Sequence, residues 1–293
     1  PPPPPPLFAS RRGHTRYCLK SRGLGDVYKR QMPDPPVVPC YDAAFCEETG
    51  QAHLLFLDVS NTHAQPGRSA PPALAQCERT MDAFARIHGF WWDHPSLSEI
   101  DDLPSVESTA TYVDSVRTCF PGFADLLGES LSTHRRTIYD RVLAELPRLS
   151  ERLTRGSDLT LIHGDAHWGN VLIARDSRRD GSLIIDWQLW GISFAAEDLA
   201  NLMALQWPRR SLAQIERDLL QRYHWRLVRA GVHTYTWEDC WSDYRLAVVT
   251  RVLFMPMWQW SSGQPRRDWS RSLEHALLAY EDLGCAQLVA DTA

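Results

Sequence analysis

The residues best suited to chemistry lie in one short stretch near the middle of the sequence. Asp165 ends a His-Gly-Asp tripeptide, Asn170 comes five positions later, and Asp186 follows a further apolar run. Phosphoryl transfer needs a carboxylate that orients an attacking hydroxyl and accepts its proton, together with hard oxygen ligands for Mg²⁺. Asp165, Asn170 and Asp186 supply these groups, provided that the fold brings them together.

The elements around this stretch predict how the three residues meet. Leu159–Ile162, Val171–Ala174 and Ser182–Ile185 are short apolar runs that are typical of strands. The polar residues 175–181 between the last two runs predict a hairpin. Such a hairpin would return Asp186 to the neighbourhood of Asn170, although 16 positions separate them.

Most of the remaining sequence has helical periodicity. Apolar residues recur at intervals of three and four after Pro71 and Pro72, which mark the start of a helix. The spacing predicts helices over residues 74–91, 106–127, 129–153, 195–205, 212–230, 237–258 and 270–282. Val37–Phe45 and Ala52–Val59 read as a strand pair joined by a turn. The pattern therefore predicts an α+β fold with a small β start, a helical bulk and a central hairpin.

Composition excludes several classes of protein. Hydrophobic residues make up 44% and charged residues 23% of the 293 positions, as in ordinary globular proteins. The sequence contains no run of about 18 apolar residues, so no membrane-spanning helix is predicted. Residues 32–293 carry a net charge of −11, which disfavours binding to nucleic acid. The seven cysteines are scattered without a Cys-x-x-Cys pair, so we expect a cytoplasmic protein without a disulfide framework or zinc ribbon.

The motif supports a family resemblance. His163–Asn170, followed by Ile184-Ile-Asp-Trp-Gln188, resembles the aminoglycoside phosphotransferase and choline kinase-like family, which has the protein-kinase fold. Asp198-Leu-Ala200 is similar to the segment after that family's metal-binding aspartate, and residues 38–42 and 53–63 are similar to its last small-lobe strands and hinge. The resemblance implies the remnant of a β N-lobe (two strands and a hinge, residues 32–60) and a mainly helical C-lobe with a central β-hairpin (61–293).

The resemblance also implies roles for single residues and for cofactors. Asp165 would be the catalytic base, Asn170 and Asp186 would bind Mg²⁺, and Leu57 and Val59 would offer hinge backbone groups to the adenine of ATP. His163 and His167 would support the loop, and the candidates for the substrate pocket are Asp198, Trp168 and Trp258, with Asp198 alternatively a structural acid. The expected acceptor is a hydroxyl of a small molecule, with neither nucleic acid nor membrane as partner.

The beginning of the chain departs from this family. Lys20 and Lys29 are its only lysines, and the Gly23-Leu-Gly25 sequence follows Lys20 instead of preceding it, as a phosphate-binding glycine loop would. Residues 1–31 are basic, begin with six prolines and include a stretch similar to translated adapter sequence. We therefore expect residues 1–31 to be disordered and foreign to the fold, and the chain to be an N-terminally truncated phosphotransferase with weak ATP binding and little activity.

Two other classes remain open from the residues. The absence of a suitably placed lysine is compatible with a non-catalytic binding or scaffold protein that has a vestigial kinase lobe. The alternation His163-x-Asp165-x-His167 would place three ligands on one face of an extended segment, as in a metal-dependent hydrolase. No third and fourth His or Cys ligand follows at a recognisable spacing, which weighs against the hydrolase.

Overall fold

The first two strands form a hairpin at one end of the fold. In the computed structural model, which describes residues 32–46, 49, 51–67, 72–176 and 181–290, β1 (Cys40–Cys46) pairs antiparallel with β2 (Gln51–Phe56). The predicted strand pair is present, but β1 begins at Cys40 instead of Val37 and β2 ends at Phe56 instead of Val59. Residues 57–60 form the link to the next lobe. The predictions for residues 1–31 lie outside the described residues.

Helices account for most of the second lobe. They are α1 (Leu74–Trp91), α2 (Leu97–Ile100), α3 (Val106–Leu127), α4 (Thr133–Ser150), α5 (Ala196–Ala200), α6 (Arg209–Leu212), α7 (Glu216–Arg229), α8 (Trp237–Thr250), α9 (Met255–Ser261), α10 (Arg266–Asp282) and α11 (Ala286–Ala290). The apolar residues whose spacing predicted α1 form the buried face of that helix, and Met81, Phe84 and Ile87 are fully buried. No helix in the described part of the chain is long and apolar enough to cross a membrane.

Four helix predictions were too long, and three of them have an identifiable local reason. The fourth, over residues 212–230, is the shorter α7, and the helix predicted over 270–282 is α10, which begins four residues earlier. Ser132 caps α4 by accepting from the Arg135 amide, so that helix begins four residues later than its period suggests. The helix predicted over residues 237–258 breaks after Thr250 into a 3₁₀ turn and α9, whose first turn contains Pro256. The helix predicted over 195–205 changes to a π-turn at Asn201.

Two small sheets hold the centre of the chain. β3 (His63–Ala64), β5 (Val171–Ala174) and β6 (Ser182–Ile184) form a sheet in the order β3-β5-β6, and β4 (Thr160–Ile162) pairs with β7 (Gly191–Ser193). The predicted hairpin is confirmed, with Val171 opposite Ile184. Pro36 accepts from the Ile184 amide at 2.8 Å, so the chain before β1 also packs on this sheet.

Candidate active site

The His-Gly-Asp loop, residues 163–170, runs from the end of β4 to the start of β5. Gly164 has a φ of +77°, and a Cβ at this position would lie 2.0 Å from the backbone oxygen of Leu189. No side chain fits there, because both the dihedral and the neighbouring backbone oppose it. Glycine thus lets the loop pass closely over residues 187–189, and the next side chain, Asp165, is about one third exposed (35%).

Asp198 holds the loop from behind. Its carboxylate accepts from the His163 amide at 2.6 Å and from the Gly164 amide at 2.9 Å, and the residue is 1% exposed. His88 Nε2 lies 3.2 Å from the same carboxylate, and His88 Nδ1 lies 2.8 Å from the Tyr223 hydroxyl. Burial raises the pKa of Asp198, but the hydrogen bond and charge of His88, helped by His163, outweigh it and lower the pKa below its ordinary value.

This placement corrects the expectation that Asp198 belongs to a substrate pocket. Its carboxylate is enclosed on the inner side of the loop, where it binds backbone amides, so the alternative structural role is the one that the geometry supports. Sequence reasoning missed His88 as a partner. The only signal was that a histidine occupies an apolar position of the α1 stripe, where a polar side chain needs a buried partner.

His163 connects the loop to the strand that leads to Asp186. Its Nδ1 accepts from the Asp165 amide at 3.2 Å and its Nε2 lies 2.8 Å from the carbonyl oxygen of Ile185. This pair of contacts assigns the ring proton to Nε2, which donates to that carbonyl. The fully buried ring also packs 4.7 Å from the ring of Trp187. The support expected of His163 therefore has a definite geometry.

Asn170 closes the far end of the loop. Its side-chain Nδ2 donates to the carbonyl oxygen of Asp165 at 3.1 Å, and its own carbonyl accepts from the Ile185 amide at 2.9 Å. The first bond uses the nitrogen of the carboxamide, which leaves the oxygen as the atom that a cation would meet. The second bond places Asp186 one residue beyond the point where β5 and β6 are joined.

Asp186 and His167 complete the polar cluster. Asp186 is exposed, has left-handed dihedrals (φ 63°, ψ 61°) and lines a cleft beside the β1–β2 hairpin. A non-glycine residue in that region marks a strained, functional turn in many proteins. His167 Nε2 lies 3.7 Å from the Asp165 carboxylate, and its side chain is about one third exposed (34%).

The donor set fits Mg²⁺ and not zinc. Asp165, Asn170 and Asp186 offer carboxylate and carboxamide oxygens, which are the ligands of a hard cation. The Asn170 nitrogen is already used within the loop, so the side chain presents its oxygen without rearrangement. Among the described residues, no group of three His, Cys, Asp or Glu side chains could hold a metal ion, which leaves the hydrolase alternative without its ligands.

A cleft of about 1750 Å³ lies between the β1–β2 hairpin and the helical lobe. Its walls include the link 57–60, Leu172 and Ile184 of the central hairpin, and Asp186. The Leu57 amide donates to Pro39 at 2.9 Å, and the Val59 carbonyl accepts from the backbone of Thr62 and His63 at 3.0 and 2.8 Å. Two of the expected hinge groups, the Leu57 amide and the Val59 carbonyl, therefore already form hydrogen bonds within the chain. The hinge groups left for a nucleotide base are the Leu57 carbonyl and the Val59 amide.

The predicted pocket tryptophans lie apart from each other. Trp168 is 9% exposed and stacks on Trp207 with ring centroids 4.9 Å apart and planes 4° apart, so it packs beneath the loop instead of facing a substrate. Trp258 is half-buried on α9 and packs against the core. Sequence reasoning also missed Gln65, whose side-chain nitrogen donates to the Gly169 carbonyl at 2.6 Å and ties the segment after the hinge to the loop.

A β-hairpin joined by a short link to a helical lobe, with Asp186 lining the cleft between them and the His-Gly-Asp loop bonded to the residue before Asp186, is the arrangement of protein-kinase-like phosphotransferases. The family model described as "Phosphotransferase enzyme family" matches residues 23–235, so the chain belongs to this family. The predicted α+β, protein-kinase-like fold and the family resemblance are both confirmed.

Solved structures share the fold at low sequence identity. An aminoglycoside phosphotransferase from Alicyclobacillus acidocaldarius is 14% identical with a TM-score of 0.57, over 94% of this chain and 83% of that one. The choline kinase LicA from Streptococcus pneumoniae is 15% identical with a TM-score of 0.53, over 94% and 81%. A GDP complex of aminoglycoside 2'-phosphotransferase-IIIa is 14% identical with a TM-score of 0.54, over 94% and 84%. No curated protein matches the sequence significantly.

Proposed function

We propose that this protein is a small-molecule kinase that transfers the γ-phosphate of ATP, bound with Mg²⁺, to a hydroxyl group. The observation that carries the proposal is that two hydrogen bonds of Asn170 join the chain segments that carry the three oxygen-bearing side chains. The Asn170 side chain donates to the backbone carbonyl of Asp165, and the Asn170 backbone carbonyl accepts from the amide of Ile185, the residue before Asp186. That arrangement supports a base and two metal ligands acting on one phosphoryl group.

The reaction follows from the positions of these groups. The acceptor hydroxyl donates a hydrogen bond to the Asp165 carboxylate, and its oxygen attacks the γ-phosphorus in line with the leaving oxygen. The new P–O bond forms as the bond to the β-phosphate oxygen breaks, ADP departs, and the hydroxyl proton passes to Asp165. Asn170 and Asp186 would hold Mg²⁺, which supplies neutralisation of charge on the phosphate oxygens. His167 Nε2, 3.7 Å from the Asp165 carboxylate, would help to orient that carboxylate.

The cleft supports binding of the nucleotide base. Leu172 and Ile184 offer apolar contact, the Leu57 carbonyl would accept from an exocyclic amine, and the Val59 amide would donate to a ring nitrogen. Adenine presents such a donor and acceptor side by side. Guanine also has a hydrogen-bond donor and an acceptor on one edge, but in different positions. Because one structural neighbour is a GDP complex, GTP is the appropriate competitor to test against ATP.

The test separates binding from transfer. Mant-ATP binding and transfer of ³²P from γ-labelled ATP to a panel of amino alcohols, aminoglycosides and other hydroxyl compounds are measured on the whole chain. We expect Asp165→Asn to reduce transfer by about 10²-fold or more while binding persists, and Asp186→Asn to remove the Mg²⁺ dependence of binding. Asp140→Asn, an exposed carboxylate on α4, is the matched control.

Two outcomes would contradict the proposal. Undiminished transfer by Asp165→Asn would show that this carboxylate is not the base. Because weak ATP binding and little activity are expected of this chain, transfer is measured at saturating ATP. A folded wild-type chain that then binds nucleotide but transfers no phosphate to any acceptor would instead favour the non-catalytic binding protein.

A further inference from the structure

The peptide unit before Asp165 is held at both ends. The Gly164 carbonyl accepts from a guanidinium nitrogen of Arg251 at 3.3 Å, and the Asp165 amide of the same peptide unit donates to His163 Nδ1 at 3.2 Å. Arg251 is 87 positions away, at the end of α8. The orientation of that peptide unit sets the direction in which the Asp165 side chain leaves the backbone. An imidazole acceptor at its amide and a cationic donor at its carbonyl therefore fix the plane of this peptide unit.

Arg251 is itself fixed in a largely enclosed position. Its amide donates to the Ala247 carbonyl at 2.9 Å as the last bond of the helix, so the backbone cannot move without unwinding α8. Its side chain lines a small cavity of about 60 Å³ together with Glu197, Tyr112 and Ser150. Arg251 and Glu197 are both half-buried beside this cavity, and the reduced access of water strengthens a charge-assisted hydrogen bond.

Glu197 supplies an opposite charge to this guanidinium. Burial raises the pKa of Glu197, and the positive charge of Arg251 acts against that rise. Glu197 also precedes Asp198 in sequence, so α5 directs one carboxylate to the loop amides and the other to the cavity that contains Arg251. The cavity wall includes the Ser150 hydroxyl, which is buried and has no hydrogen-bond partner in the described structure. A water molecule would fit beside these polar groups.

We propose that Arg251 is a positioning residue for the phosphoryl transfer, holding the Gly164 carbonyl so that Asp165 meets the acceptor hydroxyl. Arg251 acts through the loop and does not contact the nucleotide. The inference rests on the proposed function, because it assigns Arg251 a role in presenting the base. It predicts a loss in the chemical step without a loss in nucleotide affinity.

The experiment compares two arginines of the same helix. Arg245 also donates to a backbone carbonyl, that of Gly284, but this contact lies away from the loop. Arg251→Met and Arg245→Met are measured for Mg²⁺-dependent hydrolysis of ATP, in which water replaces the acceptor, and for hydrogen exchange of peptides covering residues 163–170 in the nucleotide-free chain. We expect Arg251→Met to lower kcat about tenfold or more, the effect of one hydrogen bond to a charged group, with KM for ATP within about twofold, and to speed exchange in the loop.

Arg245→Met should leave both readouts unchanged, and Arg251→Lys, which keeps a cationic donor, should recover part of kcat. Unchanged loop exchange and kcat in Arg251→Met would overturn the inference, as would a parallel rise in KM, which would indicate direct contact with the nucleotide. A wild-type chain that neither binds nor hydrolyses ATP would contradict the proposed function. In that case, faster loop exchange in Arg251→Met but not in Arg245→Met would still support the role of Arg251 in holding the loop. Unchanged exchange would contradict that role too.

Discussion

The Asp198 carboxylate accepts a hydrogen bond from the backbone amide of His163 at 2.6 Å. Asp198 lies behind the loop and is only 1% exposed. The bond joins α5 to the first residue of the His-Gly-Asp loop, 35 positions earlier in the sequence. Since the same carboxylate also accepts from Gly164 and contacts His88, one buried charge organises the loop that carries the candidate base.

Replacing this charge should destabilise the whole lobe. Asp198→Asn replaces a group that only accepts hydrogen bonds by one whose nitrogen would face the donating amides of His163 and Gly164. The free energy of unfolding should therefore fall by about 3 kcal/mol, as for other broken buried ion pairs. Urea unfolding followed by tryptophan fluorescence measures it. The exposed Asp140→Asn should change stability by less than about 0.5 kcal/mol, and an equal effect of the two substitutions would refute the role given to Asp198.

Acid should destabilise the protein partly through two carboxyls. Burial raises the pKa of Asp198 and Asp82, but His88 at the first and Arg222 and Arg226 at the second lower both pKa values below the ordinary 3.8. A carboxyl with a depressed pKa stabilises the fold fully above its unfolded pKa and loses that contribution as the pH falls through its folded pKa.

The wild-type free energy of unfolding should therefore decline with decreasing pH from about pH 4 downward, and Asp198→Asn and Asp82→Asn should each flatten that decline. Chemical unfolding in a series of buffers from pH 6 to below pH 3 would measure the slopes. A variant with the same slope as the wild type would show that its carboxyl does not contribute to the acid sensitivity.

Gly164→Ala should be strongly destabilising, because the added Cβ would meet the Leu189 carbonyl oxygen at 2.0 Å and the φ of +77° disfavours alanine. We expect a loss of more than about 2 kcal/mol. Gly181→Ala is the matched control, since a Cβ there has no atom within 4 Å, and its stability should change by less than about 1 kcal/mol. Thermal melting compares the two, and comparable melting temperatures would contradict the crowding at Gly164.

Cysteine reactivity should follow burial. Desolvation raises the pKa of Cys77 and of Cys285 to about 12, whereas Cys46 is exposed. Because the thiolate is the reactive form, iodoacetamide at pH 8 should modify Cys46 in the native protein and reach the other two only after unfolding. Peptide mass spectrometry reads out each site, and native modification of Cys77 would indicate that the N-terminal half of α1 opens.

Local pattern was enough to predict the central hairpin. Strand-turn-strand spacing placed Asp186 near Asn170 because an antiparallel hairpin forces its two ends together. Helix ends were less accessible, since Ser132 and Pro256 end or begin helices through caps and missing amides that a period of apolar residues does not reveal.

The sequence by itself determined which side chains form the candidate site, because their order and spacing within one loop and one hairpin leave little freedom. Only the tertiary structure decided what holds them. Asp198 was assigned to the loop and not to a pocket, Trp168 was placed beneath the loop on Trp207, and Arg251 was brought to Gly164. Those contacts join residues 34 to 87 positions apart, and such pairings depend on how whole helices pack, which no local pattern of residue types records.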